Sequence, residues 1–468
     1  MMEYRGCKDL GKVDTLDSKN IDVQQFFINY ISERKPVHFA GHLTDKGWNV
    51  SKSNWSHAYL KERCPADMTV KVEYRDSDAD QFGMGQEKRM TFHAFLDEIE
   101  KGSDSLYLTT QDLDVDSEGR PSILSAPLTA LTQDFPLIPT LFSTLIPANL
   151  NLWYGQSKAY TTSGLHHDFH DNLYVLLRGE KRITFYSPAY AYHMYTHGAI
   201  AHIHPNGRIN YQGQRTRADG ADVNADKALD AVKKLRQAML RLEEIEGRGT
   251  DGKKVEEANE KKISARKAAK EADSSEDGGG VDDVEDEIDQ ALEDMLDAEF
   301  DGDGAGDRDG DYEDSEGEWE TEDESNASDI LEVEDCSNID VEKFLLGKRK
   351  HPIASTDACK ASKVDKPFHT MPDNFSRITN SLPPSQLQSN FSLFLEALPH
   401  KVTVDLKEGE MLYIPAGWFH EVQSKGRHMA FNYWFHPPDN YMASGQMSYE
   451  QPYASSFWKE DFEDRQLA

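Results

Sequence analysis

Apolar positions recur at two different periods along this chain, and the change between them divides it. Residues 21–31 (IDVQQFFINYI) place apolar side chains at helical spacing and predict an amphipathic helix. It runs into PVHFAG, a short β-rich stretch closed by Gly41. MTVKVEY alternates at period two, with Met68, Val70 and Val72 on one face, and predicts a strand. Residues 91–99 (TFHAFLDEI) predict a second helix, and SLYLTT a further strand. A Pro/Leu-rich connection over 121–147 leads to the densest β signal. There NLWYG, LHHDFHDNLYVLL and KRITFYSP come in succession, with Arg178, Gly179 and Glu180 as a predicted hairpin turn. The pattern returns after residue 400 as KVTVDL, MLYIP, FHEVQS and HMAFNYWF. Strands without intervening helices predict an antiparallel sandwich or barrel.

The middle of the chain reads differently. Leu229, Val232, Leu235, Met239, Leu242 and Ile245 share a helical face that ends near Gly247. Val281, Val284, Ile288, Leu292, Met295 and Phe300 make a second stripe, set among acids, and the segments DGDGAGDRDGDYED and ESNASD beyond it have no core-forming content. The formal charge of −33 belongs almost wholly here: residues 271–335 hold 31 acidic residues and one base, Arg308. Such a tract cannot bury enough apolar surface to fold alone. It is expected as an insertion within one domain, because loop-closure entropy grows only logarithmically with length. The division is then a flexible N-terminus (1–19), an α/β extension (20–149), the first part of the β core (150–213), an acidic low-complexity insertion with short helices (214–370), the second part of the core (371–440) and a C-terminal tail (441–468).

Composition narrows the function. No stretch approaches the ~20 apolar residues of a membrane span, and the N-terminus lacks the apolar region of a signal peptide. Cys7, Cys64, Cys336 and Cys359 lie far apart and form neither CxxC pairs nor a disulfide framework. The expectation is an intracellular protein of the nucleus and/or cytoplasm, not a secreted one. Phosphate would be repelled by the acidic tract, so neither nucleic acid nor membrane is expected as a direct partner. The tract reads first as a solubilising spacer. The functional alternative is capture of a basic partner, such as a histone or an RNA-binding protein. Residues 301–318 fail both EF-hand frames, because Tyr312 occupies the twelfth position of one and the sixth of the other. Lys348, Arg349 and Lys350 form a short basic run. The C-terminal SSFWKEDFED is a candidate for homodimerisation.

The chemistry centres on His166, His167 and Asp168 in a predicted strand, and on His420 in MLYIPAGWFHEV. Residues two apart on a strand point the same way, so His166 and Asp168 share a face and His167 faces away. With His420 from another strand they make a two-His, one-carboxylate set. That set leaves open positions suited to Fe(II), a bidentate 2-oxo acid and O₂. Lys181 lies on the next strand, and a cation inside a barrel needs an anion. The distal carboxylate of 2-oxoglutarate would provide one. His170, four residues from His166, would suit a helical zinc pair, but the alternation around it indicates a strand. His193, His197, His202 and His204 read as loop or surface histidines. Trp153, Trp418 and Trp434 read as core or pocket wall, and Tyr154 and Gln156 are left undecided.

SGLHHDFHDNLY, RGEKRITFYSP, GEMLYIPAGWFHEV and AFNYWF together resemble the JmjC-domain, cupin-like 2-oxoglutarate oxygenases. FFINYISERKPVHFAG and SLYLTT are similar to the N-terminal region of the small JmjC-only protein hydroxylases, which include lysyl hydroxylases and the asparaginyl hydroxylase of the hypoxia pathway. The resemblance covers residues 21–113 and 150–438, outside the insertion. It implies a mainly β, double-stranded β-helix (jelly-roll) core with an N-terminal α/β extension. It implies Fe(II) on His166, Asp168 and His420, with Lys181, Ser163 and Tyr107 at the C5 carboxylate of 2-oxoglutarate. Asn172 and Asn432 would line the same pocket nearer its other end. Ser163 stands where the family usually has Thr and keeps the hydroxyl. The implied reaction decarboxylates 2-oxoglutarate to succinate and CO₂ and hydroxylates a protein side chain. Histone lysine demethylation by the same iron chemistry is the first alternative. A non-catalytic binding module is the second, disfavoured because all three ligands and Lys181 are present.

Overall fold

The computed structural model describes residues 4–50, 55–75, 86–115, 121–248, 290, 371–379 and 382–467. They divide into two compact units, one of residues 1–223 and 353–468 and the other of residues 224–352. Of the second unit the described part is the helix Ala225–Arg248, where the periodicity places it, with the single residues Asn224 and Gln290. The second apolar stripe, the acidic tract, the basic run, Cys336 and Cys359 lie outside the described residues.

The first unit is mainly β. Its strands are β1 (Asp14–Asp17), β2 (Val37–Ala40), β3 (Thr69–Tyr74), β4 (Glu87–Thr91), β5 (Leu106–Leu108), β6 (Pro147–Thr162), β7 (His166–His167), β8 (Asp171–Tyr186), β9 (Ile200–Ile203), β10 (Ile209–Tyr211), β11 (Val402–Lys407), β12 (Met411–Ile414) and β13 (Phe419–Phe435). Eleven of them join one sheet in the order β1-β2-β12-β8-β13-β6-β5-β3-β4, with β11 added on β8 and β7 on β13. Only the β1–β2 pair of this sheet is parallel; its other pairs are antiparallel. The mainly β, largely antiparallel architecture expected from the β pattern is the one observed.

The long strands explain how so extended a sheet encloses a site. The sequence pattern predicts a hairpin turn at RGE, and separate strands at FHEVQS and HMAFNYWF. Instead β8 and β13 run through these points and pair with each other on both sides of them, with register shifts between Lys425 and Met429 and at Met429/Ala430. Gly179 sits at this crease with φ 85°. A Cβ there would lie 2.5 Å from the Arg427 carbonyl oxygen, so the position demands glycine for both its torsion and its clearance. The strands therefore fold over rather than reverse. The first half of β8 pairs with β12 and the second half with β11. Tyr174, Leu176, Ile183, Phe185, Val404, Leu406, Leu412 and Ile414 pack in one cluster, so apolar residues from both halves share an interior.

The N-terminal extension covers the outer face of this sheet. The amphipathic segment 21–31 is a short helix, α1 (Val23–Phe26), capped by the Asp22 side chain, which continues as a π-helical turn over Phe27–Ile31. Phe26 packs against Phe39, Phe142 and Tyr413. A helix without a sequence prediction, α2 (His57–Arg63), precedes the second expected one, α3 (Phe92–Glu100), whose Phe92, Phe95, Leu96 and Ile99 are buried. Arg34, fully buried, extends from the end of the first segment and donates twice to the Asp171 carboxylate at the start of β8. Tyr413 Oη and the Ala416 amide donate to the same carboxylate, at 2.7 and 2.9 Å.

Candidate metal centre and cavity

Strand pairing brings the metal-ligand candidates together. β7 pairs with the start of β13 so that His166 lies opposite His420, with ring centroids 4.5 Å apart. Asp168 lies just past the end of β7. The Nε2 atoms of His166 and His420 are each 4.0 Å from an Asp168 carboxylate oxygen, too far for hydrogen bonds. One ligand atom from each of the three lies within 4.8 Å of the others, and no further group of this kind occurs among the described residues.

Backbone carbonyls set which imidazole nitrogens face the gap. His166 Nδ1 is 3.0 Å from the Gly164 oxygen, and His420 Nδ1 is 2.9 Å from the Trp418 oxygen. A carbonyl only accepts, so each Nδ1 carries a proton and Nε2 is the nitrogen left to ligate. Burial first, then His420, pushes His166 down to about 4, which keeps it neutral and able to ligate at physiological pH. Burial works to raise Asp168, but His420, His166 and two hydrogen bonds outweigh it and hold the carboxyl below its ordinary value. Those bonds come from Trp434 Nε1 and Asn172 Nδ2, both 3.2 Å from Oδ2. Both fall on the oxygen nearer His420, while Oδ1 is the one nearer His166. Asn432 Nδ2 donates in turn to Asn172 Oδ1 at 2.9 Å, so Asn432, Asn172 and Asp168 form a chain.

His167 faces away, as its position on the strand requires. It is fully buried, and its Nε2 is 2.7 Å from Tyr211 Oη.

The three candidate ligands border a cavity of about 820 Å³, within the range of small-molecule sites. Both halves of the creased strands line it: Asn172, Tyr174 and Lys181 from β8, and His420, Ser424, His428, Asn432 and Trp434 from β13. Lys181 is 4% exposed, and among the described residues no carboxylate bonds it. Its ammonium lies 5.5 Å from the centre of the Tyr174 ring, and burial alone pushes its pKa down to about 7. Trp153 Nε1 is likewise buried without a partner. A buried cation and an unfilled N–H donor on the walls of one cavity suit an anionic ligand.

The other expected pocket residues lie on the same cavity. Tyr107, on β5, stacks on Trp153 at 5.9 Å. A Cβ on Gly155 would come 2.5 Å from the Tyr107 ring, so that glycine admits the phenol to the wall. Ser163 donates to the Gly164 oxygen at 2.9 Å and accepts from the Val422 amide at 3.0 Å, so its hydroxyl already ties the metal-bearing loop to β13. Asn172 and Asn432 also line the cavity, on the hydrogen-bonded chain that ends at Asp168.

Some cavity residues have no signal in the sequence that assigns them there. His428 is buried on the wall, with Nδ1 3.0 Å from the Gly426 oxygen, and burial, then Lys181, pushes it down to about 3. Trp434, a core or wall residue by its pattern, bonds the metal carboxylate as well. Of the undecided pair, Tyr154 belongs to the outer core against His57 and Phe95, and Gln156 accepts from Arg427 Nε at 3.2 Å. His202 and His204 pack edge to face at 4.4 Å without a third ligand among the described residues. No described helix is long and apolar enough to cross a membrane.

A family model described as a cupin-like domain matches residues 23–441. The chain is 31% identical over 473 aligned residues to JmjC domain-containing protein 4 of Schizosaccharomyces pombe, an alignment that covers 93% of this chain and 88% of that protein.

Proposed function

The chain belongs to the cupin-like JmjC family, and from that premise we propose that it is an Fe(II)- and 2-oxoglutarate-dependent hydroxylase acting on a side chain of a protein. The observation that carries the reading is one cavity with two complementary features. At one place two imidazoles and a carboxylate turn their ligand atoms toward a common gap. Elsewhere on the wall a buried lysine lacks an acid among the described residues.

The residues present fit both groups. Two imidazoles and one carboxylate are the donor set that favours divalent iron and leaves positions for other ligands. A buried ammonium is costly without a counter-ion, and a dicarboxylate co-substrate supplies one. When bound, iron with 2-oxoglutarate and O₂ would supply the oxidation of a C–H bond.

The protein's part is orientation and exclusion of water. The carbonyls of Gly164 and Trp418 fix the tautomer of both histidines before any metal arrives. Trp434 and Asn172 hold Asp168 by Oδ2. Lys181, with Tyr107 on the same wall, would bind the distal carboxylate and so set the depth at which the co-substrate sits. Trp153 and Trp434, in edge contact at 6.2 Å, line the same cavity.

Intact-mass analysis of candidate protein substrates after turnover with Fe(II) and 2-oxoglutarate tests the proposal. A gain of one oxygen on the substrate is the expected result. Loss of a CH₂ unit with formaldehyde release would replace it with lysine demethylation. Failure of any protein extract to stimulate succinate formation would indicate a binding module.

A further inference from the structure

Beyond the long insertion, the chain returns to the metal centre at residues 372–377, which run alongside the metal strand on the edge that β13 leaves open. The His167 amide bonds the Asn374 oxygen at 3.3 Å, Asn374 Nδ2 donates to the His167 oxygen at 2.6 Å, and the Ser376 amide bonds the Leu165 oxygen at 2.8 Å. On its far side the same segment is held by 194–198. There the amides of His197 and Gly198 donate to the oxygens of Phe375 and Asp373, and Ser376 Oγ donates to the Met194 oxygen. Gly198 has no room for a side chain, since a Cβ would lie 2.5 Å from both Asp373 and Tyr211. The segment is therefore clamped on two sides rather than resting on the surface.

Phe375 is the residue that this clamp aims at the site. It forms a bridge with His166, and its ring lies parallel to the His166 imidazole, with centroids 4.8 Å apart and planes 10° apart. His420 flanks the same imidazole, tilted by 50°. The imidazole thus has an aromatic ring on it, a second histidine beside it and a carbonyl on Nδ1. The carbonyl fixes rotation of the ring in its plane, but one hydrogen bond leaves rocking about that bond free. A flat ring in contact with the imidazole face removes that freedom. An aliphatic side chain of similar size would fill the space without defining the plane.

We propose that Phe375 is a positioning residue for the metal centre: it holds the His166 imidazole in the plane from which Nε2 reaches the ion. The inference rests on the reading of His166, Asp168 and His420 as ligands. It adds a residue that lies beyond the insertion and outside the motifs that carry the family resemblance.

The test is Co(II) binding by the full chain, monitored through the ligand-field absorption of the ion. Phe375→Leu should weaken Co(II) about tenfold or more, in the range by which groups behind metal ligands act, and should change the absorption envelope. Phe375→Tyr should keep both near wild type, because the flat ring is restored. Wild-type affinity and spectrum in Phe375→Leu would overturn the proposal. So would a Tyr variant as impaired as the Leu variant, since that would make the role one of volume alone. Phe375→Leu keeps most of the buried volume, and an unchanged thermal transition without metal would confirm that the fold is intact. Absence of Co(II) binding by the wild-type chain is a different result: it would remove the metal centre itself.

Discussion

His166 and His420 are direct cross-strand partners, on β7 and the start of β13, although the whole inserted tract separates them in sequence. Their side chains project from the same face of the paired strands, and each turns a proton on Nδ1 to a nearby backbone carbonyl two residues earlier in the chain. The metal centre is thus a property of strand register. A slip of one residue in either strand would turn its histidine to the opposite face, away from the other.

Asp168→Ala should remove the carboxylate while leaving both imidazoles bonded to their carbonyls. Divalent-metal affinity should fall by more than about 100-fold, because loss of a ligand must exceed the roughly 10–100-fold typical of residues behind the ligands. Anaerobic calorimetry with Fe(II) measures this, and retention of affinity within a few-fold would contradict the assignment. Trp434→Phe keeps an aromatic ring and deletes the N–H bonded to Oδ2. About a tenfold weakening is expected from the same measurement.

Lys181 gives co-substrate binding a pH dependence with a defined sign. Burial pushes its pKa down to about 7 in the ligand-free protein, whereas a bound carboxylate requires the ammonium. Below about pH 7 the lysine is already charged and affinity should be flat. Above it a proton must be taken up, so affinity for 2-oxoglutarate should fall about tenfold per pH unit. Titrations on both sides of that value read this directly, and a level profile would mean that the carboxylate sits elsewhere.

The same lysine should set function against stability. Lys181→Met removes a desolvated amine from the cavity wall and replaces it with an apolar chain of similar length. The unfolded chain keeps a proton on this lysine up to about pH 10.4, whereas the folded chain releases it near pH 7. Folding of the wild type is therefore penalised below that upper value, and the penalty reaches its full size near the lower one. Lys181→Met should raise the thermal midpoint at neutral pH, while its affinity for 2-oxoglutarate falls at least about 100-fold, as expected for a lost charged partner. A lower midpoint would show that the amine contributes to the fold.

Gly179→Ala tests the crease. The added methyl group meets a carbonyl oxygen, and the left-handed torsion itself costs about 1–2 kcal/mol. A total destabilisation of more than about 2 kcal/mol is expected in denaturant titration, since neither strand can yield without breaking the β8–β13 pairing.

The ligand set could be read along the chain because its signals are local. His166 and Asp168 sit two apart on a strand, Lys181 lies on the next one, and His420 is part of a recognisable apolar run. What escaped depends on contacts through space. Gly179 carries the same residue signature whether a strand reverses or creases, and only the continued pairing of both flanks with β13 separates the two. Trp153 and Tyr154 occupy opposite faces of β6. Both are large aromatics, so alternation alone does not tell which one faces the cavity. Trp434 looks like packing until Asp168 is placed under its N–H. Arg34 sits beside a segment read for its apolar face, where a single base gives no hint of a buried carboxylate far along the chain.

Arg34→Met should cost about 3–5 kcal/mol, the range for stranding a buried charge. Asp171 would keep two hydrogen bonds but lose the cation that neutralises it. Arg34→Met combined with Asp171→Asn should recover part of that loss in the same unfolding assay, because no net charge then remains buried.

The Arg34–Asp171 bond also decides where this chain can be cut. By sequence position alone the helix-bearing N-terminal segment is the part to trim from a shorter clone. Yet its arginine neutralises a carboxylate three residues from a metal ligand, and its carbonyl accepts from the Trp418 indole two residues before another. A fragment starting at the first long strand would lose both supports of its own metal centre. A piece that keeps the His166, Asp168 and His420 site supported must include Arg34, and recombination with other cupins at that boundary would have to carry it along.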